Sequence, residues 1–182
     1  LALESGERRA DAADLGATVE GATNVVCAAR ADVVVAAVPW AGHEALLTEL
    51  RTALAGKIIV DCVNPLGFDK QGAFALAVAQ GSAAQQAAEL LPDSTVVAAF
   101  HHISAVLLLD DSVPTLDTDV LVLGDKRDAT DTVQALANRI PGLRGIYGGR
   151  LRNAAQVEAF TANLISINRR YKAHGGVRIT DV

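Results

Sequence analysis

Asp32-Val33-Val34-Val35-Ala36-Ala37-Val38, stopped by Pro39, precedes Lys57-Ile58-Ile59-Val60-Asp61, which closes on Asn64-Pro65-Leu66-Gly67. Each run is continuously apolar, β-branched and short, the pattern of a strand buried on both faces. Between them Ala45, Leu46, Leu50 and Leu54 recur at helical spacing. Strand, helix and strand joined by short loops predict parallel strands and a right-handed crossover.

Outward from this unit the alternation continues. Upstream, residues 1–20 read as a charged, Ala-rich helix ending near Gly16, and Asn24 is expected to cap a short helix running to Arg30. Downstream, residues 68–81 are expected to form a loop with some helix, and residues 82–91 a helix stopped at Pro92. Thr95-Val96-Val97-Ala98-Ala99-Phe100 is a third strand, and Asp119-Val120-Leu121-Val122-Leu123 a fourth, ending at Gly124-Asp125. A helix over residues 128–140 with Asp128 as its cap, a short strand at Gly145-Ile146-Tyr147 and a long helix over residues 153–173 complete the pattern. The expected fold class is α/β, an open, mostly parallel sheet with a long C-terminal helix. Ligands of such sheets lie beyond the carboxyl ends of the strands. That rule selects Pro39-Trp40, Asn64-Pro65-Leu66, His101-His102-Ile103 and Gly124-Asp125.

Composition narrows the function classes. The chain has 182 residues with a formal net charge of −5, and its only basic block is Arg169-Arg170-Tyr171-Lys172, so a nucleic-acid partner is not expected. No apolar run reaches the roughly 20 residues that span a bilayer, and no signal peptide is expected. Cys27 and Cys62 lack metal-like spacing and read as buried free thiols of a cytoplasmic protein. The sequence begins at Leu1 and contains no Met, which leads us to expect a fragment.

Few residues suggest chemistry by themselves. His101 and His102 follow a strand end, where an imidazole can hydrogen-bond a ring edge or move a proton; the plainer alternative is a loop cap and a solvent-facing ring. Trp40, the only tryptophan, either shields a cofactor ring or packs under the following helix. His43, His101, His102 and His174 form no metal-ligand spacing, and no Gly-x-Ser-x-Gly elbow is present. Asp110-Asp111 and Asp117-Asp119 read as solvated turns. Neither Gly145-Ile146-Tyr147-Gly148-Gly149 nor Gly175-Gly176 is a dinucleotide-binding turn in the right context.

Five blocks in order carry a family resemblance: DVVVAAVPW from Asp32, KIIVDCVNPLG from Lys57, VVAAFHHISA from Val96, DVLVLGD from Asp119, and the tail from Gly148. Together they resemble the F420-dependent NADP reductases, from about Gly21 to the C-terminus. The resemblance implies a Rossmann-like domain over residues 1–150 whose first βαβ segment, with its Gly-rich turn, is missing. Residues 151–182 would close the F420 cleft and contribute to a homodimer. It implies hydride transfer between NADPH and the deazaflavin coenzyme F420, two rings stacked at the strand ends. By this resemblance His101 and Ile103 contact the paired rings, and Trp40, Leu66 and Ala105 fall on NADP-contacting positions, with Pro39, Asn64 and Pro65 as neighbours. Two other readings stay open: a truncated, non-catalytic F420-binding or inert remnant, and an NADP-dependent reductase of a small imine or keto substrate.

Overall fold

The computed structural model describes residues 21–182. The helix expected over residues 1–20 lies outside the described residues. From Thr23 onward the chain forms α1 (Asn24–Arg30), β1 (Val33–Ala36), α2 (Trp40–Leu54), β2 (Ile58–Asp61), β3 (Leu66–Asp69), β4 (Gly72–Ala75) and α3 (Ala83–Leu90). Then follow β5 (Thr95–Ala98), α4 (Ala105–Leu108), β6 (Thr118–Gly124), α5 (Arg127–Ala137), β7 (Leu143–Gly149), a 3₁₀ turn (Leu151–Asn153) and α6 (Ala154–Tyr171).

Five strands pair in the order β1-β2-β5-β6-β7. The first three are parallel, β6 runs antiparallel to β5, and β7 is parallel to β6. The period-2 pleat then divides the core. Ile59, Val96 and Ala98 face Leu47, Leu50 and Leu54 of α2, Ala84 and Ala87 of α3, and Ala154 and Val157 of α6. Val60, Val97, Val120 and Val122 face Ala129, Val133 and Ala137 of α5. Helices thus cover both faces, which is why the central strands read as unbroken apolar runs. β1 departs from that expectation. It is the outermost described strand, and its Val35 is 54% exposed rather than buried.

Local chemistry sets the element ends. Thr23, not Asn24, caps α1, its side chain accepting from the Val26 N–H. α5 starts after Lys126 without a side-chain cap; Asp128 instead lies in its first turn and accepts from the Ala129 N–H. The segment expected to be a loop with some helix contains an antiparallel hairpin, β3–β4, pairing Leu66 with Ala75 and Asp69 with Gly72. Asp69 accepts from the N–H groups of Gln71 and Gly72 and closes the turn, and Gly72 takes φ +125°, which a side chain disfavours. Each strand has four residues, too few to display a clear alternation in the sequence.

One glycine is a packing requirement. A Cβ at Gly145 of β7 would lie 2.5 Å from Cα and 2.7 Å from the carbonyl oxygen of Gln134 on α5. Backbone cannot rotate away as a side chain can. Gly145→Ala is expected to cost about 2 kcal/mol, seen in thermal unfolding as a midpoint lowered by roughly 4–8 °C.

Candidate functional site at the carboxyl edge of the sheet

Three of the four selected loops converge. Pro39-Trp40 follows β1, Asn64-Pro65-Leu66 follows β2, and His101-His102-Ile103 follows β5, all at the carboxyl edge of parallel strands. Gly124-Asp125 does not join them. Val97 pairs with Gly124 and Ala98 with Leu123, so β6 ends at the opposite edge, where Lys126 donates to the Thr95 hydroxyl at the start of β5. β6 runs antiparallel to β5, so its carboxyl end is not at the shared edge.

His101 is held by its backbone. Phe100 before it sits at φ +63°, left-handed and unusual for an aromatic residue. Such a conformation costs on the order of 1–3 kcal/mol and persists only where its surroundings hold it. Here the Asn64 amide (2.8 Å) and the Thr161 hydroxyl of α6 (3.0 Å) both donate to the His101 carbonyl. The imidazole is 3% exposed, and neither ring nitrogen makes a hydrogen bond of ordinary geometry. Burial pushes its pKa down to about 4, against the pull of the Asp61 carboxylate. His101 is therefore neutral near pH 7.

His102 is buried too, rather than capping a loop or facing solvent. Its Nε2 meets the Asp119 carbonyl oxygen at 3.0 Å, and burial lowers its pKa. Ile103 is half-buried and lines a cavity of about 110 Å³ together with His102, Ser104, Leu107 and the tail residues His174 and Gly175. Ala105 opens α4 and is exposed; Leu66 is half-buried at the start of β3; Pro65 is buried and Pro39 exposed. Trp40 is half-buried in the first turn of α2, its ring centroid 5.5 Å from that of His43.

Behind these loops lies a buried polar cluster that the motif reading passed over. His43 is fully buried, with Nδ1 2.9 Å from Gln86 Oε1 and Nε2 2.7 Å from Asp61 Oδ2. Asp61 Oδ1 also accepts from the Val63 N–H. Burial works against charge on His43, but the hydrogen bond and charge of Asp61 outweigh it, and its pKa is raised. Glu158 of α6, 3% exposed, accepts from the N–H groups of Ala83 and Ala84 and so supplements the Ser82 cap of α3. A sequence signal for Glu158 existed: it stands four residues from both Ala154 and Ala162 on the buried face of α6.

The comparisons with known proteins give this edge a chemical context. The family model "NADP oxidoreductase coenzyme F420-dependent" matches residues 3–65. The F420-dependent NADP reductase of Methanothermobacter thermautotrophicus is 39% identical over 170 residues, covering 91% of this chain and 73% of that protein. The chain belongs to the F420-dependent NADP reductase family. The family's reductase from Methanocaldococcus jannaschii is 35% identical over 170 residues, 91% of this chain and 75% of that protein. A crystal structure from Arthrobacter sp. FB24, described as a candidate F420-dependent NADP-reductase, superposes with a TM-score of 0.78 at 27% identity, over 89% of this chain and 76% of that one. Within this reductase fold the described residues contain no group of three or more His, Cys, Asp or Glu side chains able to hold a metal. No helix among them is long and apolar enough to cross a membrane.

Two further expectations are corrected. Asp119 is not in a solvated turn: it is fully buried and receives Arg144 through Nε (2.7 Å) and Nη2 (2.8 Å), Arg178 (3.1 Å) and the Ile179 N–H (2.6 Å). Cys27 and Cys62 are free but only half-buried. Burial, with the Asp61 charge beside it, pushes the Cys62 thiol up to about 11, so it is no nucleophile near neutral pH.

Glu158 should leave a pH signature. Burial raises its pKa to about 7 against the two backbone N–H bonds. A carboxyl raised on folding stabilises fully below its ordinary value near 4.5 and loses that contribution as pH rises through about 7. Glu158→Gln is expected to cost roughly 1–3 kcal/mol by losing one acceptor. In pH-dependent unfolding it should also flatten the decline between pH 5 and 8, leaving the part that His43 contributes.

Proposed function

We propose that this chain binds the redox rings of NADPH and coenzyme F420 at the carboxyl edge of β1, β2 and β5 and passes a hydride between them. Kinship over 91% of the chain carries the reading. The site chemistry fits it: a neutral imidazole after β5 and the half-buried apolar side chains of Ile103, Trp40 and Leu66 on the neighbouring strand-end loops suit a planar ring. The nicotinamide and deazaflavin exchange the hydride, a proton with two electrons.

The chain's own part is to orient the rings and exclude water. His101, uncharged near neutral pH, hydrogen-bonds and polarises rather than acting as an acid. Ile103 sets the ring spacing. Trp40, Leu66 and Ala105 contact NADP, with Pro39, Asn64 and Pro65 as a rigid border. Thr161 and Asn64 hold the His101 backbone in place. In the same reading residues 1–150 form the nucleotide domain, residues 151–182 close the F420 side, and the protein works as a cytoplasmic homodimer.

The test is reduction of F420 by NADPH, followed as loss of oxidised deazaflavin absorbance. Turnover supports the reading. F420 binding without turnover favours the non-catalytic alternative, and no binding of either cofactor overturns both.

A further inference from the structure

Trp40 and Asp61, the strand-end residue whose carboxylate binds the β2 loop at Val63, come from different elements and touch a common group. That group is His43. Its acceptor at Nε2 is the Asp61 carboxylate, whose other oxygen is occupied by the Val63 N–H. Its neighbour at Nδ1 is the Gln86 side chain, whose amide nitrogen is directed at Gln80 Oε1 (3.5 Å), leaving the carbonyl oxygen toward the ring. With the amide in this orientation both ring nitrogens face acceptors, an arrangement that a doubly protonated ring satisfies. The ring also lies within the roughly 6 Å at which a cation is attracted to an indole face.

We propose that His43 is the positioning residue of this site: a buried imidazolium that, through Asp61 and Trp40, fixes the β2 loop (residues 62–66) and the first turn of α2 relative to each other and to His101.

The charge balance supports it. The groups facing His43 are Asp61 on β2, Gln86 on α3 and Glu158 on α6, and Asp61 also faces His101 and Cys62. Asp61 supplies one negative charge against one on His43. Asp61 in turn sets the loop, because the Val63 N–H it binds lies directly before Asn64, whose amide holds the His101 carbonyl. The kinetic part of this inference rests on the hydride-transfer reading; the spectroscopic part does not.

Trp40 is the only tryptophan, so protein emission reports this site alone. A cationic imidazole quenches indole emission more than a neutral one. Wild-type protein should show quenched emission, flat from pH 5 to 6.5, that recovers only above the ordinary histidine range. His43→Gln should be brighter, red-shifted and flat with pH. Asp61→Asn, which removes the countercharge, should move the recovery below pH 6.5, because burial then governs His43. In turnover, His43→Gln should lower kcat roughly 10- to 100-fold with a smaller change in KM, as expected of a small misplacement.

Emission indistinguishable between wild type and His43→Gln overturns the proposal. So does a His43 ring with a single protonated nitrogen at pH 6 by ¹⁵N NMR. An unchanged kcat alongside altered emission overturns the positioning role. If wild type shows no turnover, the hydride-transfer reading fails, and the emission and NMR results still decide the clamp. Should His43→Gln not fold, Asp61→Asn and the wild-type NMR measurement carry the test.

Discussion

Replacing His101 by Ala is expected to lower kcat/KM for NADPH-driven F420 reduction by roughly 10²-fold, the usual loss when one preorganised hydrogen-bonding group is removed from a reacting centre. The structure makes the effect specific. The His101 carbonyl, not its ring, carries the structural load through Asn64 and Thr161. The ring lies against the Cys62 and Val63 backbone without a hydrogen bond of ordinary geometry. Activity should fall beyond what the cavity left by a buried imidazole, roughly 2–4 kcal/mol of stability, accounts for. The pKa near 4 adds a second check. His101 remains neutral from pH 6 to 8, so the pH profile over that range should not contain its titration. Steady-state kinetics and an unfolding curve on the same variant test both statements. An activity loss matched by loss of folded protein would return His101 to a packing role.

The second large effect concerns stability. Asp119→Ala is expected to cost about 3 kcal/mol, the low end for breaking a buried ion pair because both arginines are partly exposed. In thermal unfolding that corresponds to a midpoint lower by roughly 6–12 °C. The reason lies in what Asp119 joins. Its backbone N–H donates to the Val177 carbonyl, its carboxylate accepts from the Ile179 N–H, and Arg144 spans it and the Ile179 and Val182 carbonyls. The segment after α6 is thus pinned to β6 and β7, and its His174 and Gly175 border the cavity beside Ile103. Limited proteolysis should therefore cut after Arg178 sooner in the variant. Hydrogen bonds from Arg144, aided by Ile179 and Arg178, hold the Asp119 carboxyl at about 2 despite burial. A carboxyl depressed on folding stabilises above its ordinary value near 3.8 and loses that as pH falls through about 2. Asp119→Asn should remove that acid-side loss.

Elements with long, consistent patterns were legible. β2, β5 and β6 are continuous β-branched runs because helices cover both faces, and α2 and α6 show helical spacing over several turns. The β3–β4 hairpin escaped because four residues per strand resemble a loop, and its two largest side chains, Phe68 and Phe74, are both exposed. The caps of α1 and α5 were misplaced by one or more residues, since Thr23 and Asn24 are both capable caps and only backbone direction separates them.

The site divides along the same line. That Pro39-Trp40, Asn64-Pro65-Leu66 and His101-His102-Ile103 meet at one edge was expected from sequence, and the parallel pairing of β1, β2 and β5 places them there. Family membership was equally legible, as five blocks in fixed order survive without knowledge of any contact. Tertiary structure alone decided that Gly124-Asp125 lies at the other edge, because strand direction depends on the path of residues 99–117, not on the strand's own residues. It alone decided that Asp119 is buried, because the two arginines and the tail that bind it arrive from 25 to 60 residues away. And it alone assembled His43, Asp61, Gln86 and Glu158, four polar residues on four elements: His43 meets Asp61 and Gln86 across 18 and 43 residues, and Glu158 meets the Ala83 and Ala84 N–H groups across about 75. Hydrophobic period is local and can be read residue by residue; the partner of a buried charge is not.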